Sequence, residues 1–132
     1  MDYIKNFELT LTVTQEDLDE INHVNNVRYI QWIQDIAKAH WKQIASEEVY
    51  STYFWIVLRH CVDYKGSAHL NDEIRISTKF INSKGATAKS IIEMHIKDTN
   101  KLLLQAETTW CLFDVKTKRP TRVTEEISNI LN

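Results

Sequence analysis

The sequence predicts an α+β fold in which one antiparallel sheet curls around a single long helix. Three observations carry this. Residues 25–45 repeat apolar side chains at three- and four-residue steps, the period of a helix. Four long strand-like stretches follow Tyr53, joined by short segments of turn residues. One further alternating stretch precedes the helix. A lone helix covers only one face of such a sheet. The other face is therefore expected to need a second layer, which a homodimer or homotetramer would supply.

Each element has its own justification. Residues 7–13 read F-E-L-T-L-T-V, alternating apolar and polar as a half-buried strand does. A polar stretch covers 14–22. In the helix, one apolar stripe is Val27, Ile30, Ile33, Ala37, Trp41 and Ile44, and a second is Tyr29, Trp32, Ile36 and Ala39. Arg28, Gln31, Asp35, Lys38 and Lys42 keep to the remaining face. So wide an apolar surface predicts a helix covered on most of its circumference. At roughly 20 residues it would run about 30 Å, the width of a small domain. Asn22, Asn25 and Asn26 stand where caps are needed.

The strands that follow are 54–65, 72–82, 87–97 and 102–115. The second carries Ile74, Ile76, Thr78 and Phe80 in alternation, and the last holds Trp110, Cys111, Leu112 and Phe113. Ser83-Lys84-Gly85 and Thr99-Asn100-Lys101 are the turns between them. Residues 125–131 read as a terminal helical turn or short helix. No repeat, low-complexity tract or linker divides the chain, so 1–132 reads as one domain.

Composition removes several function classes. The 132 residues include two glycines and one proline, where average usage gives roughly nine and six or seven. That shortage excludes glycine-rich dinucleotide and phosphate loops and the G-x-S-x-G nucleophile elbow. A net charge of −2 and a pI of about 6.2 leave no electrostatic footprint for nucleic acid. No stretch approaches the ~20 apolar residues of a membrane span, so no membrane insertion is expected. Residues 1–7 lack the apolar run of a signal peptide. Cys61 and Cys111 sit inside apolar runs and read as reduced core residues of a cytoplasmic protein. His40, His60, His69 and His95 show no ligand spacing, so neither a metal nor another cofactor is expected.

The chemically informative stretch is 16–35, E-D-L-D-E-I-N-H-V-N-N-V-R-Y-I-Q-W-I-Q-D. Carboxylates, a histidine and asparagines crowd the start of an apolar helix. A helix N-terminus offers unpaired N–H groups and the positive end of a dipole, suited to a developing negative charge. Asp17 or Asp19 can sit near that end, and His23 can donate, accept or titrate near neutral pH. These are the parts needed to attack a polarised carbonyl. The plain alternatives are helix caps and a hydrogen-bonded loop histidine.

Asp17-Leu18-Asp19, then His23-Val24-Asn25-Asn26, Tyr29 and Trp32, resembles the D-x-D-x-x-G-H-V-N-N-x-x-Y-x-x-W pattern of hotdog-fold thioesterases. These are the 4-hydroxybenzoyl-CoA thioesterase-like enzymes and the plant-type acyl-ACP thioesterases. The second group carries D-L-D-x-N-x-H-V-N-N-V-x-Y-I-x-W, which 17–32 follows closely. Residues 59–65 with Asn71-Asp72-Glu73-Ile74 are similar to the family's Y-x-x-x…G-D-E-I strand pair, and Arg119-Pro120 to its G-R-P tail. The resemblance covers nearly the whole chain, and H-V-N-N is its specific part.

The resemblance implies a hotdog fold, a long central helix wrapped by a five- or six-stranded antiparallel sheet, dimeric at least. It implies hydrolysis of an acyl thioester of CoA or ACP. Asp19 matches the acid that acts as nucleophile or general base. His23 matches a histidine that orients the site. Asn26 falls at the helix start, where its N–H or a neighbour's would hold the oxyanion. Asp17, Asn25, Tyr29, Asp35 and Arg59 are expected on the substrate side, with Asp35 alternatively paired to Lys38 on the surface. Lys65, Lys84, Lys89 and Arg59 are the cations available to CoA phosphates. Two positions depart from the pattern. The glycine before the histidine is Asn22, expected to adopt the same left-handed backbone. The asparagine two residues before the histidine is Ile21, which favours a simpler site built on Asp19 and the helix end. The competing reading is a non-catalytic module that binds acyl thioesters; no dehydratase motif is present.

Overall fold

The computed structural model describes residues 6–132. The leader reading at the N-terminus falls mainly on residues 1–5, outside them. The described strands are β1 (Phe7–Thr12), β2 (Tyr53–Tyr64), β3 (Glu73–Lys84), β4 (Thr87–Ile96) and β5 (Leu102–Asp114). The helices are α1 (Asn26–Ile44), α2 (Glu47–Thr52) and α3 (Glu125–Leu131). All five strands join one antiparallel sheet in the order β1-β3-β4-β5-β2. That is the lower of the two strand counts expected. Every predicted element is present, with ends displaced by two residues or fewer.

Two elements were not anticipated. Gln15–Asp17 forms a 3-10 turn inside the polar stretch. Ser46 caps α2, accepting from Val49 N–H at 3.2 Å. Both are too short to show a hydrophobic period.

The sheet bends where a residue is inserted. Register shifts flank Leu58 in β2 and Ile81 in β3, and such bulges increase local twist and curl. The concave face receives α1. Tyr29, Trp32, Ile33 and Ile36 pack on Ile74, Ile76, Ile92, Met94, Leu104 and Ala106. Each fully buried Ile or Leu here contributes about 1.5–3 kcal/mol. A second cluster joins Trp41, Val49, Ala88 and Leu112 to Ile127 and Leu131 of α3. His40 is also buried, stacked between Phe7 and Phe80 at 5.2 and 5.6 Å.

Two expectations need correction. Val27 is 74% exposed, so the first apolar stripe is not buried along its whole length. Cys61 is exposed, because alternation along β2 turns it to the convex face; Cys111 is buried as expected. That face carries Arg75, Ser77 and Lys79 on β3, Lys89, Glu93 and His95 on β4, and Gln105, Glu107 and Thr109 on β5. It is largely polar, with Ile91 among these residues. Exposed apolar residues gather instead on β2, where Ile56 is 39% and Leu58 58% exposed. The outer edge of β2 pairs with no strand among the described residues.

Candidate active site

The loop before α1 is built by two carboxylates with different tasks. Asp17 is 5% exposed. Its Oδ2 accepts from the Thr14 N–H at 2.8 Å and the Thr14 hydroxyl at 3.2 Å. Its Oδ1 accepts from Arg28 Nε at 2.6 Å in an ion pair, and its carbonyl accepts from the Asn25 N–H. Burial by itself pushes the Asp17 carboxyl up. The Thr14 N–H, the Arg28 guanidinium and the Thr14 hydroxyl outweigh it, leaving the pKa below the ordinary carboxylate value. Asp17 is thus a clamp between the loop and α1, with both of its carboxylate oxygens engaged.

Asp19 is only half-buried. Its Oδ1 accepts from the N–H groups of Ile21 and His23 at 3.0 and 3.1 Å. Both bonds go to one oxygen, so Oδ2 is the atom left for other chemistry. The backbone closes around it: Asp19 N–H donates to the His23 carbonyl at 2.7 Å, and Leu18 and Val24 form an antiparallel bridge. Asn22 sits at the tip with φ 62, the left-handed backbone that the missing glycine would have taken. Asn71, the counterpart of the second family glycine, has φ 70.

The helix start follows directly. Asn25 is the N-cap, its Oδ1 accepting from Val27 N–H at 3.0 Å while its carbonyl accepts from Arg28 N–H. Its side chain is therefore committed to the helix rather than to a substrate. The N–H of Asn26 is left without an acceptor in the helix or its cap, and it points outward from the positive end of the dipole.

Other expected site residues are placed elsewhere. Tyr29 is 2% exposed, and its phenol oxygen accepts from the Ala68 N–H at 3.1 Å. Burial raises its pKa, so the phenol stays protonated. It ties α1 to the loop between β2 and β3. Asp35 is exposed nine residues beyond Asn26, about 13 Å along the axis. It accepts from Gln31 Nε2 at 2.9 Å, not from Lys38. Arg59 is exposed beside the β2 bulge, in register with Thr109, and is not brought to the Asp19 loop.

The β2–β3 loop supplies residues that sequence reasoning missed. His69 packs edge-on against the His23 ring, centroids 4.9 Å apart. Asp72 Oδ2 accepts from the His69 N–H at 2.8 Å and lies 3.8 Å from His69 Nδ1. The His23 imidazole thus faces His69, and it is His23's backbone that holds Asp19. The signal for Asp72 lay in the N-D-E-I segment; none marked His69. Around this loop Ile21, Val27, Tyr64 and Leu70 expose apolar surface, and the Tyr64 hydroxyl donates to the Asn26 carbonyl at 3.4 Å.

A cavity of about 750 Å³ lies farther along α1, between Gln34–Trp41 and the start of β2. Its walls are largely aromatic: Trp41, Tyr53, Phe54, Trp55, Phe80 and Trp110. Among the described residues, the buried side-chain nitrogens or oxygens without a partner are Trp41 Nε1, Trp55 Nε1 and His60 Nε2. Leaving such a group unpaired costs roughly 1–3 kcal/mol. His60 Nδ1 is bonded to Thr108 Oγ1 at 2.9 Å, and burial pushes its imidazole pKa down. Among the described residues, no cluster of His, Cys, Asp and Glu could hold a metal ion. No helix among them is long and apolar enough to cross a membrane.

Residues 13–131 match the thioesterase-like superfamily. The chain belongs to this superfamily. The fold is the hotdog fold, and the activity class of the family is thioester hydrolysis. Among solved structures, a 1,4-dihydroxy-2-naphthoyl-CoA thioesterase from Synechocystis is similar over 96% of each chain, with 12% identity and a TM-score of 0.82. A probable thioesterase from Escherichia coli covers 94% of this chain and 95% of its own, with 19% identity and a TM-score of 0.81. A Staphylococcus aureus protein solved in complex with CoA covers 98% of this chain and 84% of its own, with 18% identity and a TM-score of 0.83. No curated protein matches the chain.

Proposed function

We propose that residues 1–132 form one hotdog domain that hydrolyses acyl-CoA or acyl-ACP thioesters as a homodimer. The observation that carries this is the Asp19 carboxylate, held through Oδ1 by two backbone N–H groups in a loop running straight into the start of α1. The thioester carbonyl oxygen takes the Asn26 N–H, and the helix dipole favours the charge that develops on it. Oδ2 of Asp19 then attacks the carbonyl carbon, forming a mixed anhydride that water cleaves, or removes a proton from an attacking water. Either route expels the thiolate and yields free acid and thiol. The CoA-bound relative supports the CoA class of substrate.

Support for the dimer comes from the outer edge of β2, which no strand among the described residues covers. An unpaired edge is a template for another strand. Antiparallel pairing of two β2 edges about a two-fold axis brings the Tyr64 end of one protomer's strand beside the opposite end of its partner's. Tyr64 marks the Asn26 end of α1. The opposite end of the strand lines the aromatic cavity. The reacting carbonyl of one protomer therefore lies next to the cavity of the other, and the acyl group extends into it.

Thiol release from a panel of acyl-CoA and acyl-ACP thioesters tests this reading. Asp19→Asn is expected to lower kcat at least about 100-fold with little change in melting temperature. Full activity in Asp19→Asn would remove Asp19 from the chemistry. Binding of acyl thioesters without turnover on any substrate would make the chain a non-catalytic module instead.

A further inference from the structure

The turn that carries Asp19 is held at its ends. Its tip, Glu20, Ile21 and Asn22, is exposed. On one side Leu18 packs against the main core. On the other, the Val24 N–H donates to the Ala68 carbonyl at 3.0 Å, and the His23 ring meets the His69 ring edge-on, centroids 4.9 Å apart and planes at 87°. His23 is also bonded to Asp19 in both directions. Its N–H donates to Asp19 Oδ1, and its carbonyl accepts from the Asp19 N–H. Whatever fixes His23 therefore fixes the Asp19 carboxylate.

The loop that delivers His69 is itself tied on several sides. The Ala68 N–H donates to the Tyr29 phenol oxygen. The Asn71 N–H donates to the Val13 carbonyl at 3.0 Å, and the Val13 N–H to the Asp72 carbonyl at 2.9 Å. Asp72 then closes on His69. Its Oδ2 accepts the His69 N–H at 2.8 Å and lies 3.8 Å from Nδ1, and its own N–H donates to the His69 carbonyl at 3.1 Å. The backbone of His69 is thus anchored, while its side chain is 58% exposed. So exposed a ring buries little surface, and the residue it meets is the one that holds Asp19.

We propose that His69 is a positioning residue of the active site, acting through His23 to keep Asp19 aimed beside the start of α1. The inference rests on the thioesterase reading above and adds to it a residue from outside the H-V-N-N loop. A reacting group misplaced by about 1 Å can cost roughly 100-fold in rate. A ring that stops the turn from drifting therefore raises kcat without touching the substrate.

Kinetics and two measurements that need no turnover test it. In thiol release, His69→Ala is expected to lower kcat about tenfold or more, with KM within about twofold of wild type. His69→Phe keeps a ring for the edge-on contact and should restore most of the loss. Unchanged kcat in His69→Ala overturns the proposal. A rise in KM alone overturns it too, since His69 would then contact substrate. Equal losses in His69→Ala and His69→Phe overturn the packing role. In hydrogen exchange, the Ile21 and His23 amides that bond Asp19 should exchange about tenfold or more faster in His69→Ala, while amides in the middle of β4 keep their protection. Unchanged exchange at both overturns the proposal. In the wild type, nuclear Overhauser contacts between the His23 and His69 ring protons are expected; their absence overturns the contact even where a variant fails to fold. Absence of thiol release from every thioester would instead overturn the hydrolase reading, and the exchange and ring contacts would still decide whether His69 positions Asp19.

Discussion

At the residue scale, asparagine does the work of the missing glycines. Asn22, Asn71 and Asn100 all have positive φ, whereas Gly85 is the one glycine that does. At Asn22 the turn aims the Ile21 and His23 N–H groups at Asp19, the carboxylate proposed to act on the thioester. Asn22→Ala should lose about 1–2 kcal/mol in urea unfolding and lower kcat. Asn22→Gly should stay near wild type in both. The Asp17 clamp gives a second test at this scale. Its folded pKa lies below the ordinary 3.8, so the unfolded chain binds the proton more readily. The stabilisation is therefore fully present above about pH 4 and disappears as pH falls through the lowered folded value. The urea midpoint of the wild type should drop more steeply below pH 4 than that of Asp17→Asn.

At the element scale, α1 is placed by one buried polar contact as well as by its apolar face. The Tyr29 phenol accepts the Ala68 N–H inside the core, and Val24 N–H donates to the Ala68 carbonyl at 3.0 Å. Both flank the loop that carries His69. Removing one partner of a buried bond leaves the other unsatisfied, at roughly 1–3 kcal/mol. Tyr29→Phe should cost that much in urea and speed hydrogen exchange at the Ala68 amide, while amides in the middle of β4 keep their relative protection. Unchanged exchange at Ala68 would mean that the loop holds without the phenol.

At the scale of the whole molecule, the exposed apolar edge at Ile56 and Leu58 decides whether the site is shared. Leu58 is the bulged residue of β2 and is 58% exposed, so charge there does not disturb the protomer's own core. Leu58→Glu is expected to shift the chain from dimer to monomer in sedimentation equilibrium. It should cut thiol release at least about tenfold, since each acyl group would lose its cavity across the interface. A monomer of full activity would confine the site to one chain.

The sequence by itself determined the order and kind of the elements. Helical and two-residue periods are local, and α1 and the four strands after it are long enough to show them. It also marked the loop, because the H-V-N-N block lies within a few residues of Asp19 and Asn22. What local pattern could not decide was which groups already had partners. Asp17 and Asp19 look alike in the sequence. Only the fold brings Arg28 and Thr14 to one of them and leaves an oxygen of the other unclaimed. Tyr29 looked like a pocket residue until the β2–β3 loop delivered Ala68 to its hydroxyl. His69 reached His23 from the β2–β3 loop, and Trp41 of α1 came to share one cavity with Trp55 of β2. Tertiary structure decides such matters because hydrogen-bond partners and cavity walls come from segments remote in the chain, and no local periodicity encodes them.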